Sequence, residues 1–132
     1  MATQSTMSKN AESMQFALDC ARIAGENKAE DVVVLDLRER SGICDYFIIC
    51  TGTSDRQMRT IADYIDEHAE RSNQRRFRLS GYEQARWILI DYVDVVVHIF
   101  DDESRKYYDL ELLWGDAPRL EWQTMRQRRS EL

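Results

Sequence analysis

Two apolar runs stand back to back in the second half of the chain, with only a short acidic turn between them. The first run covers residues 87–90, the second covers residues 95–100, and the turn covers residues 91–94. Short runs of β-branched and large apolar side chains are typical of β-strands. The spacing therefore predicts an antiparallel pair of strands near the middle of a sheet.

Apolar side chains in both runs occupy both alternating sets of positions. In the first run Trp87 and Leu89 belong to one set, and Ile88 and Ile90 to the other. Because successive side chains of a strand point to opposite faces, both faces of this sheet need cover. The predicted helices are too few to cover both, so we expect the second face to meet another protein.

The rest of the chain supplies the other elements of one domain. Ser54 and Gln57 form a capping-box pattern, which predicts a helix start after a strand. A chain of 132 residues is long enough for one core. The pattern predicts a disordered segment over 1–9, a single domain over 10–118 and a polar tail over 119–132. Within the domain we expect helices over 10–27 and 55–72, strands over 31–37, 45–51 and 76–80, and the strand pair. A last helix should follow, capped by Asp101 or Asp102, with Gly115 at the C′ position just beyond its end. This order predicts an α/β fold: a mixed sheet of about five strands with flanking helices.

Charge narrows the class of partner. The net charge of −6 argues against nucleic acid as a direct partner, because phosphate contact needs a basic surface. Residues 86–116 hold eight acidic and three basic residues, which predicts steering towards a basic partner. A short basic run precedes this segment and is typical of a solvated surface; it consists of Arg71, Arg75, Arg76 and Arg78.

Composition excludes several other classes. No apolar run is long enough to span a membrane, and the polar N-terminus lacks the apolar core of a signal peptide, so we expect a cytoplasmic protein. Cys20, Cys44 and Cys50 lack metal-ligand spacing and are predicted to be reduced structural cysteines.

The turn Gly52-Thr53-Ser54 leads from a strand into a helix, a geometry that can hold phosphates on backbone N–H groups. It resembles the glycine-serine entry of nucleotidyltransferases, which also need an Asp-x-Asp pair on the next strand to hold Mg²⁺. Residues 76–80 contain no acid. We therefore predict no catalytic residue, no metal and no cofactor, and keep a nucleotide-binding enzyme as the less favoured alternative.

Segments spread over nearly all of residues 11–118 resemble the ribosomal silencing factor family, also called Iojap-related proteins. They occur in the family's order and spacing: DYFIICTGTSDRQ at 45–57, IAD at 61–63, WILIDY at 87–92, DVVVHIF at 94–100 and RKYYDLELLWGDAP at 105–118. The resemblance implies a homodimeric domain with a nucleotidyltransferase-like fold, without the catalytic carboxylates and without transferase activity. It also implies a translation repressor that binds the large ribosomal subunit through ribosomal protein L-fourteen and blocks joining of the small subunit. A role in large-subunit assembly, known for organellar members, is the alternative.

The same resemblance, carried over residue by residue, implies a partner-binding site. Its predicted members are Trp87, Ile88, Asp91, Tyr92, Asp94 and His98. Their expected roles are an aromatic anchor with an apolar neighbour, acids that face Lys or Arg, and a polar rim. For His98 the alternative is a hydrogen-bonded structural role, and for Trp87 ordinary core packing. Tyr107, Tyr108 and Trp114 are expected to hold the last helix on the sheet. Val93 stands where the family usually has glycine.

Overall fold

The structure, a computed structural model, describes residues 2–40 and 42–123, of which residues 2–9 are described as backbone only. Four helices and five strands follow one another along this part of the chain. They are α1 (Ala2–Glu26), β1 (Glu30–Asp36), β2 (Tyr46–Thr51), α2 (Asp55–Arg71), β3 (Arg78–Ser80), β4 (Trp87–Asp91), β5 (Val95–Phe100), α3 (Asp102–Tyr108) and α4 (Leu110–Leu113).

The five strands form one sheet in the order β1-β2-β5-β4-β3. β2 and β5 run parallel, and the other neighbouring pairs are antiparallel. The predicted mixed α/β fold with about five strands is confirmed, as is the antiparallel pairing of β4 with β5. β3 lies at the edge of the sheet, as its weak apolar pattern predicted.

The helices α1 and α2 cover one face of the sheet. Ser54 caps α2 by accepting a hydrogen bond from the Gln57 N–H, so the predicted helix start is confirmed. The buried side chains of α2 lie on one stripe at the predicted helical spacing: Met58, Ile61, Ala62 and Ile65. This stripe and the buried stripe of α1 pack against the inward side chains of the strands to form the larger of two cores.

Cys20, Cys44 and Cys50 are buried free thiols, in agreement with the structural role predicted for them.

The other face of the sheet carries a smaller core. Its buried members are Leu35, Leu37, Cys44, Ile49, Val96, Phe100 and Ala117. The segment that contains α4 supplies Leu110 and Trp114, which pack over part of this core and remain partly exposed. The expectation that both faces need cover, and that the helices of the chain do not suffice for both, fits this arrangement.

Two predicted helix boundaries are wrong. α1 begins at Ala2 rather than Asn10, because no glycine or proline interrupts the first nine residues. The last helix is two helices, since Asp109 adopts a left-handed conformation with φ 44° between α3 and α4. Aspartate tolerates this conformation better than most residues. Trp114 is the C-cap of α4, so Gly115 lies directly after the cap, at the position predicted for it, although it does not adopt a positive φ.

The segment after Pro118 packs on the domain, although the sequence predicted a polar tail from residue 119. The Leu120 N–H donates to the Val34 carbonyl oxygen at 2.9 Å, and the Trp122 Nε1–H donates to the Val32 carbonyl oxygen at 3.0 Å. The Trp122 ring lies so close to Gly25 that a Cβ there would meet it at 2.8 Å. This segment therefore shields the free edge of β1. Residues 124–132 of the predicted tail lie outside the described residues.

Candidate partner-binding face

The part of the second sheet face that α4 leaves uncovered is lined by aromatic side chains from three strands. The strand registers place Leu89, His98 and Ile49 in one row across the sheet, with Trp87 and Phe100 in the next row. Phe47, opposite Val96, begins the row on the other side. We call this surface the aromatic face and define it by Phe47, Trp87, Leu89, His98, Phe100 and Trp114.

The rings of the aromatic face pack against one another. The centroid of Trp87 lies 5.1 Å from that of Phe100 and 4.6 Å from that of Tyr108 on α3. Phe47 lies 4.5 Å from His98, and 6.3 Å from Trp114. Because Trp87, Phe47, Leu89 and Trp114 are only partly buried, the face offers rigid rings that a partner can still reach. Such pre-ordered aromatic surface is typical of interface anchors.

His98 holds the indole of Trp87 in place. The Trp87 Nε1–H donates to His98 Nδ1 at 3.1 Å, and since indole nitrogen only donates, Nδ1 must be the acceptor of a neutral ring that carries its proton on Nε2. Burial lowers the pKa of His98 to about 3. His98 is 4% exposed, and its Nε2 has no hydrogen-bond partner among the described residues. The hydrogen-bonded structural role considered for this histidine is therefore present.

Acidic side chains border the aromatic face at both ends. At one end Asp45, Asp91 and Asp94 lie close enough to Cys44 for their charges to add to the effect of burial, which raises the pKa of that thiol to about 12. Asp91 also accepts a hydrogen bond from the Val93 N–H at 2.8 Å and so shapes the turn between β4 and β5. At the other end, Asp102 and Glu103 are exposed in the first turn of α3, and Asp102 is paired with Lys106 at 3.0 Å.

The six predicted site residues divide between the two sides of the sheet. Trp87, Asp91 and His98 point to the aromatic face, whereas Asp94 is half-buried in the adjoining turn, where its carboxylate accepts a hydrogen bond from the Ser13 hydroxyl of α1 at 3.4 Å. Ile88 and Tyr92, by contrast, are 0% and 4% exposed and belong to the core under α1 and α2. The Tyr92 hydroxyl donates to Asp66 on α2 at 2.8 Å. Ile88 and Tyr92 thus support the face from behind, and a direct contact with a partner would require them to become exposed.

Sequence reasoning did not single out Phe47 and Leu89, although a signal for Leu89 was available. Leu89 is two residues from Trp87 and so shares its face. Phe47 joins the face only through the parallel pairing of β2 with β5, which no local pattern shows. Of the three aromatic residues expected to hold the last helix, Tyr108 and Trp114 contact the face. Tyr107 is 80% exposed and stacks edge-on against Tyr108.

The turn at Gly52 serves packing between elements. A Cβ on Gly52 would meet Met58 Cγ at 2.4 Å, so glycine is required there by the close approach of α2. The Thr53 N–H donates to Gln57 Oε1 at 2.6 Å, and the Gln57 N–H donates to Ser54 Oγ at 3.1 Å. These backbone donors, which a phosphate would use, are already engaged. Among the described residues no group of three or more His, Cys, Asp or Glu side chains could hold a metal ion.

Comparisons with known proteins give one consistent result. Residues 10–131 match the family model described as "Ribosomal silencing factor during starvation". A relative from Halalkalibacterium halodurans, named ribosomal silencing factor RsfS, is 46% identical over 112 residues, which is 85% of this chain and 93% of the relative. A relative of the same name from Bacillus subtilis is 44% identical over 98 residues, covering 74% of this chain and 83% of the relative. The chloroplastic protein Iojap of Zea mays is 34% identical over 85% of this chain and 49% of its own length.

Two solved structures share the fold. A crystal structure of a protein from Bacillus halodurans aligns with a TM-score of 0.68 at 42% identity, over 82% of this chain and 95% of the other. An X-ray structure of a protein from Chromobacterium violaceum aligns with a TM-score of 0.72 at 30% identity, over 80% and 85% of the two chains. In the part of the chain that the structure describes, no helix is both long and apolar enough to cross a membrane.

Proposed function

The chain belongs to the ribosomal silencing factor family, and on that premise we propose that it represses translation by binding the large ribosomal subunit. In this proposal the contact is made with ribosomal protein L-fourteen, and the bound protein blocks joining of the small subunit. The protein then acts in the cytoplasm and without catalysis.

The aromatic face with its acidic border is the observation that carries this proposal. Trp87 is held by His98 and packed against Phe100, yet it is partly exposed, as an anchor for a partner must be. Carboxylates at both ends of the face favour a partner surface rich in lysine and arginine. A ribosomal protein that binds RNA through a basic surface has this character.

Steric exclusion needs occupancy and no chemistry. An interface of about 1,200–2,000 Å² is enough for specific, stable binding. The aromatic face would lie at its centre, and Asp91 and Asp94 would lie at its rim, where charge sets orientation and association rate. Ile88 and Tyr92 would hold β4 and the turn that follows it in a fixed position, which lowers the entropy lost on binding.

We also propose that the protein is a homodimer when it is free. The partly exposed rings of Phe47, Trp87 and Trp114 leave apolar surface that a second copy would cover, and because the ribosomal contact uses the same rings, the two copies would have to separate before that contact forms. Sedimentation equilibrium of the wild type at several concentrations measures this directly. A monomer at all concentrations would contradict the homodimer and leave the proposal on the ribosome untouched.

Replacing Trp87 tests the proposed function. We expect Trp87→Ala to weaken binding to purified large subunits by about 30-fold or more, since truncation of an interface anchor costs ~2 kcal/mol or more. The control is Tyr64→Ala on α2, an exposed aromatic residue on the opposite side of the sheet. Pelleting of each variant with isolated large and small subunits measures binding, and a subunit-joining assay measures the block. A melting curve of each variant checks that it is folded.

The outcomes separate the alternatives. Binding to the large subunit with joining blocked, both lost in Trp87→Ala and kept in Tyr64→Ala, supports the repressor. Binding that leaves joining unaffected points to an assembly factor instead. Equal binding by wild type and Trp87→Ala would remove Trp87 from the interface. Failure to bind either subunit would contradict the proposal.

A further inference from the structure

A basic segment forms the edge of the sheet next to the aromatic face. It runs from the end of α2 into β3, and its arginine and phenylalanine side chains are exposed. We call it the basic edge and define it by Arg71, Arg75, Arg76, Phe77 and Arg78. Four arginines in eight residues contrast with the net charge of −6 for the whole chain. The proposed contact with a basic protein leaves this segment without a role.

Acidic neighbours neutralise only half of the basic edge. Arg76 pairs with Asp66 at 2.6 Å, and Arg71 pairs with Glu67 at 3.7 Å. Arg75 and Arg78 make no ion pair with any acidic side chain in the described part of the chain. Their guanidinium groups therefore remain available to a phosphate, which arginine binds through a planar pair of N–H donors.

Phe77 adds an aromatic surface between the arginines. Its N–H donates to the Asp91 carbonyl oxygen at 2.7 Å, so the chain already runs alongside β4 one residue before β3 begins. Its side chain is nevertheless 73% exposed. The ring is too exposed to contribute much to the core. Proteins that bind single-stranded nucleic acid typically stack exposed aromatic rings on unpaired bases, while neighbouring arginines contact the phosphate backbone of the nucleic acid.

The register of β3 connects this edge to the aromatic face. Arg78 pairs with Asp91 and Ser80 pairs with Leu89, so Arg78 lies on the same side of the sheet as Trp87 and Leu89. A partner particle that touches the aromatic face would therefore also meet Arg78 of the basic edge. A ribosomal subunit presents both protein and RNA to such a surface.

We propose that the basic edge binds RNA, with Arg75 and Arg78 on backbone phosphates and Phe77 against an unpaired base. This inference rests on the proposed function, because it places the RNA beside the protein contact on the large subunit. In this proposal the local positive charge of the basic edge binds RNA, although the negative net charge of the whole chain disfavours nucleic acid as a partner. The aromatic ring favours RNA over an acidic protein, which would need the arginines alone.

A labelled RNA hairpin with a single-stranded loop tests the proposal by fluorescence anisotropy. The full chain should bind it at low salt with a Kd below ~10⁻⁴ M, the range of non-specific nucleic-acid binding. Arg75→Ala combined with Arg78→Ala should weaken binding about tenfold and lower the slope of log K against log salt by about 2, one for each lost phosphate contact. Phe77→Ala should weaken binding about fivefold or more, as expected for loss of base stacking.

The matched control is Arg56→Ala combined with Lys106→Ala. Both side chains are exposed, both lie away from the basic edge, and the change in net charge is the same. This double variant should bind the hairpin like the wild type. Equal weakening in both double variants, no hairpin binding at all, or equally good competition by poly-glutamate would each overturn the proposal.

Large subunits distinguish this inference from the proposed function. If the proposed function and the RNA contact both hold, Trp87→Ala should lose binding to large subunits and keep binding to the hairpin. The Arg75 and Arg78 variant should then show a reduced dependence of binding on salt concentration, with the hairpin and with large subunits. Hairpin binding without subunit binding would contradict the proposed function alone. Subunit binding that is identical in wild type and the Arg75 and Arg78 variant, at every salt concentration, would overturn the RNA contact alone.

Discussion

Val93 holds a backbone conformation that β-branched residues rarely adopt. Its φ is 77°, and its N–H is bonded to Asp91 in the turn between β4 and β5. For a residue with a Cβ, the left-handed region costs about 1–2 kcal/mol. The side chain is 54% exposed, so packing recovers little of this cost. Strain is therefore stored directly beside the acidic border of the aromatic face.

Val93→Gly should raise the free energy of unfolding by about 0.5–1 kcal/mol, because glycine adopts positive φ freely and loses somewhat more chain entropy on folding. Urea denaturation followed by tryptophan fluorescence measures the change. Val93→Ala is the control, since alanine keeps the Cβ and should stay close to the wild type. A less stable Val93→Gly variant would show that the turn is not strained.

His98 makes the stability of the protein depend on pH. The pKa of this side chain is about 3 in the folded protein, below its ordinary value of 6.5. The unfolded chain therefore takes up a proton below pH 6.5 while the folded protein does not. The stability that results is complete above pH 6.5 and is lost as the pH falls towards 3, by at most about 1.4 kcal/mol per pH unit.

Between pH 6.5 and pH 5 the wild type should lose about 1.6 kcal/mol through His98, and His98→Phe should lose much less. Phenylalanine keeps a ring against Phe47 and Phe100 and cannot be protonated. The pKa of Asp36 is lowered by its hydrogen bond with Arg38, so its contribution is lost only below this window. Urea denaturation at the two pH values gives both slopes. Equal slopes would show that His98 is not a buried neutral ring.

At the scale of elements, Gln57 joins the start of α2 to the end of α1. Its amide group donates to the carbonyl oxygens of Asn27 and Lys28, at 3.0 and 2.9 Å, and accepts from Thr53. Gln57→Ala should lower the free energy of unfolding by about 2 kcal/mol, given about 0.5–1.5 kcal/mol for each hydrogen bond lost. Chemical denaturation measures this. The control is Thr60→Ala, which removes a hydrogen bond within α2 only and should lower the free energy of unfolding by less than about 0.5 kcal/mol. Similar losses of stability in the two variants would show that Gln57 does not stabilise the contact between α1 and α2.

The elements that could be predicted are those whose signals are local. The capping residue Ser54 and a periodic apolar stripe predict α2, and two adjacent apolar runs predict β4 and β5. The break at Asp109 and the packing of Trp122 on Gly25 depend on where distant residues lie, which no local pattern reports. The same holds for the site. Trp87 and His98 were predicted, whereas Phe47 joins them only through the order of the strands.

At the scale of the whole molecule, an acidic and a basic region meet along one side of the sheet, where Arg78 is the cross-strand neighbour of Asp91. Carboxylates border the aromatic face, and the basic edge beside it carries four arginines, of which Arg71 and Arg76 are in ion pairs. A partner of one chemical kind would not match both. A particle that presents a basic protein next to RNA would match them in a single orientation, because each half repels the wrong partner. If both proposals hold, the charge pattern would set the orientation of binding as well as the attraction.

Charge steering makes a prediction about rates. Asp91→Asn combined with Asp94→Asn should slow association with large subunits several-fold at low salt and leave dissociation nearly unchanged, since rim charges act mainly on encounter. Asparagine keeps an oxygen that can accept the hydrogen bond from the Val93 N–H, so the turn should persist. The control, Glu26→Gln with Glu30→Gln, makes the same change in charge at exposed sites away from the face. Biolayer interferometry at low and high salt separates the two rates. Two results would show that the acidic border does not steer the protein to its partner: association of the Asp91 and Asp94 variant at the rate of the control at low salt, or a wild-type association rate that does not change with salt concentration. In either case Trp87 and its neighbouring rings would have to account for recognition without a contribution from charge.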